Sequence, residues 1–170
     1  MASNLSRADR EDPARPGAEH RPDLRAFFED LVRAETRLYN ALNDRLREQH
    51  GIVTSQFEFL RFVHEHPGAR VADLATAFAV GIGAMSKGAD RLERQGWIAR
   101  QPNPADRRSS LLVLTEDGAR LLDAAQQSFD ERLAELLGPV SDSSAFPVAA
   151  QLLAQLRTAL EQAGVGLPVG

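Results

Sequence analysis

The stretch Asn103-Pro104-Ala105-Asp106-Arg107-Arg108-Ser109-Ser110 constrains the fold more than any other part of the chain. Its asparagine, proline and serines are turn formers. Two short apolar runs flank it, Trp97-Ile98-Ala99-Arg100 before and Ser110-Leu111-Leu112-Val113-Leu114 after, and both read as strands. Two adjacent arginines therefore sit on the tip of a two-stranded ribbon, a shape that can reach into a nucleic-acid groove. Gly96, just before the first strand, is placed to end a helix. A helix pair followed by such a hairpin reads as a winged helix-turn-helix, and gene regulation becomes the leading expectation.

The rest of the chain supplies the helices. A long one is expected from Pro22-Asp23, with Leu24, Phe27, Phe28, Leu31, Leu38, Leu42 and Leu46 at helical spacing and Gly51 after its end. Thr54 and Ser55 offer the next N-cap, and Ser55 with Glu58 matches a capping box. Phe57, Leu60 and Val63 carry that helix's apolar face, and Pro67-Gly68 stops it. A short helix from Val71 to Ala79, a turn at Val80-Gly81-Ile82 and a helix from Gly83 to Gln95 make the helix-turn-helix. After the hairpin, Thr115 caps a further long helix, with Glu116 and Asp117 complementing its dipole, and Gly138-Pro139 is expected to end it. A last helix runs from Phe146 to Ala163, with Leu152, Leu153, Leu156 and Leu160 on one side. The first and last helices carry more apolar surface than a small winged lobe can cover. Residues 1–21 are polar and read as a disordered tail, and 165–170 as a C-terminal tail.

Charge has to be read locally. The 170-residue chain carries a net charge of -4, mildly unlike a nucleic-acid binder. Yet between Lys87 and Arg108 six cations (Lys87, Arg91, Arg94, Arg100, Arg107, Arg108) face three anions (Asp90, Glu93, Asp106). The distribution, not the total, is what a polyanion meets. The absence of cysteine excludes disulfides, thiolate metal sites and thiol redox sensing. No apolar run approaches the ~20 residues of a membrane span, and no signal peptide is visible, so a cytoplasmic protein without a membrane partner is expected.

In a helix-turn-helix the second helix enters the major groove with its N-terminal end. Here that end is Ile82-Gly83-Ala84-Met85-Ser86-Lys87. Gly83 and Ala84 are small enough for close approach. Ser86 and Lys87 can donate to base edges or phosphates, and Ala84 can touch thymine methyl groups, as can Met85 unless it packs inward. Arg91, one turn on, suits a backbone phosphate. On the hairpin, Arg107 suits a phosphate, Arg108 suits the negative potential of a narrow minor groove, and Ser109 adjoins them. Asp106, two residues before Arg108, can brace its guanidinium. Leu92 and Ala89 are expected to pack inward. Each of these features alone is common; together they specify a DNA-reading surface.

Leu74-Ala75, Ser86-Lys87, Asp90-Arg91-Leu92-Glu93 and Gly96-Trp97-Ile98 resemble the helix-turn-helix of the MarR family of bacterial regulators. Asp106-Arg107-Arg108, followed by Leu114-Thr115-Glu116-Asp117-Gly118, resembles that family's wing and the start of its fifth helix. The resemblance implies a mainly α fold with a small β-hairpin wing, and long N- and C-terminal dimerisation helices. It implies a MarR-like domain over 22–164, with dimerisation helices at 22–50 and 116–164 and a DNA-binding lobe at 54–115. It also implies a homodimer with interlocking terminal helices, and an Asp106–Arg108 pair whose arginine enters the minor groove. Two departures stand out: Ile82 replaces a frequently polar residue, and Arg70-Val71 replaces the usual Ser or Thr cap.

Other chemistries find little support. His64 and His66 lie two apart on a helix end, hence on different faces, so no metal site is expected from them or from His20 and His50. No catalytic constellation or phosphate-cradling glycine loop is present, so neither an enzyme nor a cofactor is expected. Tyr39, the one tyrosine, is either a packed residue or a contact for a small-molecule inducer of the kind the family binds. The resulting expectation is a sequence-specific, double-stranded-DNA-binding regulator, a ligand-responsive repressor working as a homodimer on a pseudo-palindromic operator. The alternative is a dimeric small-molecule-binding protein of the same fold with weak or no DNA affinity.

Overall fold

The computed structural model describes residues 23–168. The expected tail over 1–21, and His20 with it, lie outside the described residues. Six helices and one hairpin follow in the order α1 (Leu24–His50), α2 (Thr54–Glu65), α3 (Val71–Ala77), α4 (Ile82–Arg94), β1 (Ile98–Pro102), β2 (Ser110–Leu114), α5 (Glu116–Ser141) and α6 (Phe146–Gln162). The mainly α fold with a β-hairpin wing is thus observed. No helix among the described residues is long and apolar enough to cross a membrane.

Helix α1 begins where Asp23 accepts hydrogen bonds from the main-chain N–H groups of Arg25 and Ala26, at 2.9 and 3.1 Å. It ends at Gly51, whose φ of +68° is the left-handed value that favours glycine there. Of its apolar residues, Leu42 and Leu46 are buried, while Leu24, Phe27, Phe28 and Val32 are exposed. Helix α6 buries nothing, and Leu152, Leu153, Leu156 and Leu160 are all exposed. Two amphipathic helices thus carry apolar residues that no other described residue covers.

The core lies where α1 and α5 meet α2 and the rest of the winged lobe. Phe57 and Phe129 stack with ring centroids 4.7 Å apart, and Leu46, Ile52, Leu60, Leu74, Ile98 and Leu112 are fully enclosed around them. Burial of such side chains contributes ~1.5–3 kcal/mol each. Polar links pin α1 to α5 at the edge of this core. Arg45 donates to Glu135 at 3.1 Å, Arg132 donates to the same carboxylate at 2.7 Å, and His50 Nε2 lies 2.8 Å from Ser128 Oγ.

Several boundaries differ from the sequence expectation, among them the first strand, which runs Ile98–Pro102 instead of Trp97–Arg100. Neither Thr54 nor Ser55 caps α2; the N-cap is Val53, whose N–H donates to the Gln56 carboxamide at 2.9 Å. Ile52 and Phe57 occupy the two positions of a hydrophobic staple, both fully buried, and that burial draws Thr54 into the first turn. Glu58 pairs with Arg61 at 2.7 Å instead of closing a capping box. Helix α5 does not end at Gly138-Pro139 but runs through Pro139 to Ser141. A proline so near a helix end removes one hydrogen bond, and its fixed φ is itself helical. In the helix-turn-helix, α3 stops at Ala77 and α4 starts at Ile82 on a Gly81 N-cap, so the turn is Phe78 to Gly81.

At the N-terminus of α5, Thr115 accepts from the Gly118 N–H at 3.0 Å, the expected cap, and donates to Gly96 O. Gly118 allows this junction to close: a Cβ there would lie 1.9 Å from Trp97 O. The hairpin is antiparallel, with Ile98 opposite Leu114 and Pro102 opposite Ser110. The Leu112 N–H donates to Ala69 O at 2.8 Å, which fastens the hairpin to the segment before α3.

Candidate nucleic-acid interface

The helix-turn-helix is set by its inward residues. Leu74 and Ala75 anchor α3, and Ala89 and Leu92 anchor α4, each 8% exposed or less. Between the helices, Ala79 adopts φ +50°, a left-handed conformation that costs a non-glycine residue. The Val80 N–H donates to Ala75 O at 3.0 Å and holds the turn closed. Arg70 caps α3 in place of the usual serine or threonine. Asp73 accepts the Arg70 main-chain N–H and its guanidinium, each at 2.8 Å. That guanidinium bond, working against partial burial, holds the Asp73 carboxyl below its ordinary value.

With Ala89 and Leu92 turned in, the outer side of α4 is fixed by helical geometry. Gly83, Ala84, Lys87, Arg91 and Arg94 are exposed, and Ser86 is half-buried. Met85, for which groove contact and inward packing were both open, packs against the core cluster, and Ala84 is the exposed one of the two. Ile82, at the first helical position, is 61% exposed. Among the described residues Lys87, Arg91 and Arg94 form no ion pair with a carboxylate.

The wing loop is braced from within. Asn103 Nδ2 donates to Ser109 Oγ at 2.9 Å, Asn103 Oδ1 accepts the Ala105 N–H at 3.0 Å, and Ser109 N–H donates to Asp106 O at 3.1 Å. The expected Asp106 brace on the Arg108 guanidinium is corrected. Asp106 Oδ1 accepts the main-chain N–H of Arg108 at 3.0 Å, because an Asx turn brings that N–H closer than the side chain. Arg107 and Arg108 are exposed, and Ser109 is half-buried with its hydroxyl spent inside the loop.

One residue the sequence reading left unassigned is Arg100 on β1. Its Nη2 donates to Asp90 Oδ1 at 2.7 Å and its Nη1 to Glu93 Oε2, both carboxylates on α4. Burial works against the charge, but the bond to Asp90 and the field of Glu93 outweigh it and raise the guanidinium pKa. Both acidic residues of α4 are thereby matched by a cation from the wing.

A cleft of about 590 Å³ lies along one flank of α4, lined by Tyr39, Ser55, Glu58, Phe59, Met85 and Arg91 among others, and reaches the exposed Ala84. Burial, reinforced by Glu58, raises the Tyr39 pKa, and the Ser55 hydroxyl opposes the rise. Among the described residues no group of three or more histidines and carboxylates is placed to hold a metal ion. His66 stacks on Phe62 and lies 3.0 Å from Phe62 O.

Comparison with known proteins then decides the family. The model of the MarR family matches residues 52–110, from just before α2 to the first residue of β2. The multiple antibiotic resistance protein MarR of Salmonella typhimurium is 31% identical over 107 residues, covering 59% of this chain and 74% of that protein. The chain belongs to the MarR family. A mutant MarR from E. coli complexed with operator DNA superposes with a TM-score of 0.66 at 26% identity, over 81% of this chain and 99% of that one. AbsC, a MarR family transcriptional regulator from Streptomyces coelicolor, gives a TM-score of 0.74 at 19% identity, over 84% and 97%, and supports the fold. The chain is accordingly a winged-helix, DNA-binding transcriptional regulator of a family that is not one of enzymes.

Proposed function

We propose that this MarR-family chain acts in the cytoplasm as a homodimer that reads a pseudo-palindromic operator and represses transcription until a small molecule binds. Its MarR-like domain spans 22–164, with α1, α5 and α6 as the dimerisation arm. The observation that carries the reading is the division of charge on α4 and the wing. Lys87, Arg91, Arg94, Arg107 and Arg108 meet no carboxylate among the described residues, while Asp90 and Glu93 are taken up by Arg100. In the major groove, Gly83 and Ala84 permit close approach, and Ser86 and Lys87 contact bases or phosphates. Arg91 and Arg107 contact phosphates, Arg108 enters the minor groove, and Asp106 and Ser109 shape the loop that carries it. A second copy covers the exposed apolar residues of α1 and of α6. An inducer in the Tyr39 cleft touches Met85 and Arg91, so its binding bears directly on α4.

Selection of bound duplexes from a random pool tests this. A palindromic consensus with half-sites about one helical turn apart is expected. Recovery of no enriched sequence at low salt overturns it in favour of the second reading, a dimeric ligand-binding protein, which the apolar cleft alone supports.

A further inference from the structure

We propose that Arg100 is a positioning residue that latches the wing to the recognition helix, so that α4 and the hairpin meet DNA as one rigid surface. This inference rests on the DNA-reading assignment above.

The covalent link between α4 and β1 is short and passes through Gly96 at φ +76°. Glycine resists rotation less than any other residue, so this link is a pivot that contacts must hold: the Thr115 hydroxyl on Gly96 O and the Leu112 N–H on Ala69 O hold its base, and the outer strands need a further tie. Arg100 sits across that pivot. Its fork reaches Asp90 Oδ1 at 2.7 Å and Glu93 Oε2, two carboxylates one turn apart on α4. A guanidinium holding two carboxylates at once fixes a direction as well as a distance. Its side chain is 27% exposed, against 53% for Asp90 and 38% for Glu93, so the guanidinium is the sheltered end of the latch.

The wing loop transmits that direction. Asn103, Asp106 and Ser109 cross-brace it, so the loop moves with its strands. A few degrees at the base then decides where Arg108 arrives. The latch also answers an electrostatic difficulty. Asp90 and Glu93 would otherwise set two negative charges on the helix offered to a polyanion. Arg100 cancels part of that charge and is itself no longer available as a phosphate contact.

The test couples two sites. Operator affinity is measured for the parent, Arg100→Gln, Arg108→Ala and the double variant, with Lys87→Ala in both backgrounds as reference. Arg108→Ala should cost the parent about 5- to 150-fold. In Arg100→Gln it should cost less than about twofold, while Lys87→Ala keeps its full cost in either background. Arg100→Lys, which offers one point charge in place of a fork, should be intermediate. If the losses at Arg100 and Arg108 simply multiply, the latch is wrong. Should Arg100→Gln fail to fold, Asp90→Asn with Glu93→Gln removes the anchors and leaves Arg100 in place. It should likewise abolish the cost of Arg108→Ala, and an undiminished cost overturns the proposal.

A DNA-free measurement separates this proposal from the reading it rests on. In the free protein, amide exchange over Ile98–Leu114 should accelerate in Arg100→Gln, with α2 and α5 unchanged. Unaltered wing exchange overturns the latch whether or not the parent binds an operator. Accelerated exchange in a parent that ignores every duplex supports the latch and overturns the DNA reading alone.

Discussion

Single side chains on the reading surface do different work, and the difference is measurable. Arg108 is exposed on a braced loop and forms no ion pair among the described residues, so removing it takes nothing from the fold. Arg108→Ala should weaken operator binding by roughly 1–3 kcal/mol and leave the melting temperature unchanged. Arg91 is expected on phosphate. Arg91→Ala should weaken operator and scrambled duplexes alike, and lower the slope of log affinity against log salt by about one. Titration of both variants against both duplexes at several salt concentrations checks the pair. If Arg108→Ala binds the operator like its parent, the wing is an ordinary hairpin. Asp106→Ala acts through the main chain, since its carboxylate holds the Arg108 N–H. Its effect should be smaller than that of Arg108→Ala, because the loop keeps the bonds of Asn103 and Ser109.

Among the elements, the junction of β1 and α5 is the least forgiving. Thr115 bonds both Gly118 N–H and Gly96 O, and the Thr115 N–H donates to Trp97 O at 3.1 Å. A methyl on Gly118 would fall 1.9 Å from Trp97 O, a main-chain atom that cannot turn aside. Gly118→Ala should therefore cost at or beyond the top of the about 1–3 kcal/mol usual for overpacking. Thr115→Ala should cost about 1 kcal/mol, the loss of a cap. Thermal denaturation separates them, at about 2–4 °C for each kcal/mol in a chain of this size. Equal, small shifts would show that the junction relaxes. The Thr115 cap was legible in sequence because its signals lie within four residues: Thr115, Glu116, Asp117 and Gly118. The same is true of the stops at Gly51 and Gly96, and of the inward turn of Leu92 and Ala89. The α2 cap was not legible, because Ile52 and Phe57 decide it by burial in a core the local sequence does not show. Arg100 escaped for a related reason. Its partners lie seven and ten positions back on another element, and in sequence it is only one more cation in a basic stretch.

At the scale of the molecule, the outstanding quantity is apolar surface. Phe27, Phe28 and Val32 of α1 and Leu152, Leu153, Leu156 and Leu160 of α6 are each 37% exposed or more. Their helical spacing matches that of faces built for burial, and buried apolar area contributes ~25 cal/mol per Å². A lone chain gains none of this from α6, which buries no residue of its own. Association of two copies is the symmetric way to recover it, and it also explains why the operator is expected to be a pseudo-palindrome. Light scattering at micromolar concentration should therefore give twice the 18.6 kDa of the chain. Leu156→Glu places a charge on that face and should yield monomers. Its winged lobe should stay folded, because no residue of the buried core lies on α6. The variant should also lose the palindrome's advantage, binding a full operator no better than a half-site of the same sequence. A parent chain that scatters as a stable monomer at that concentration would remove the dimer. Each winged lobe would then read its half-site alone, and the exposed faces of α1 and α6 would need another partner.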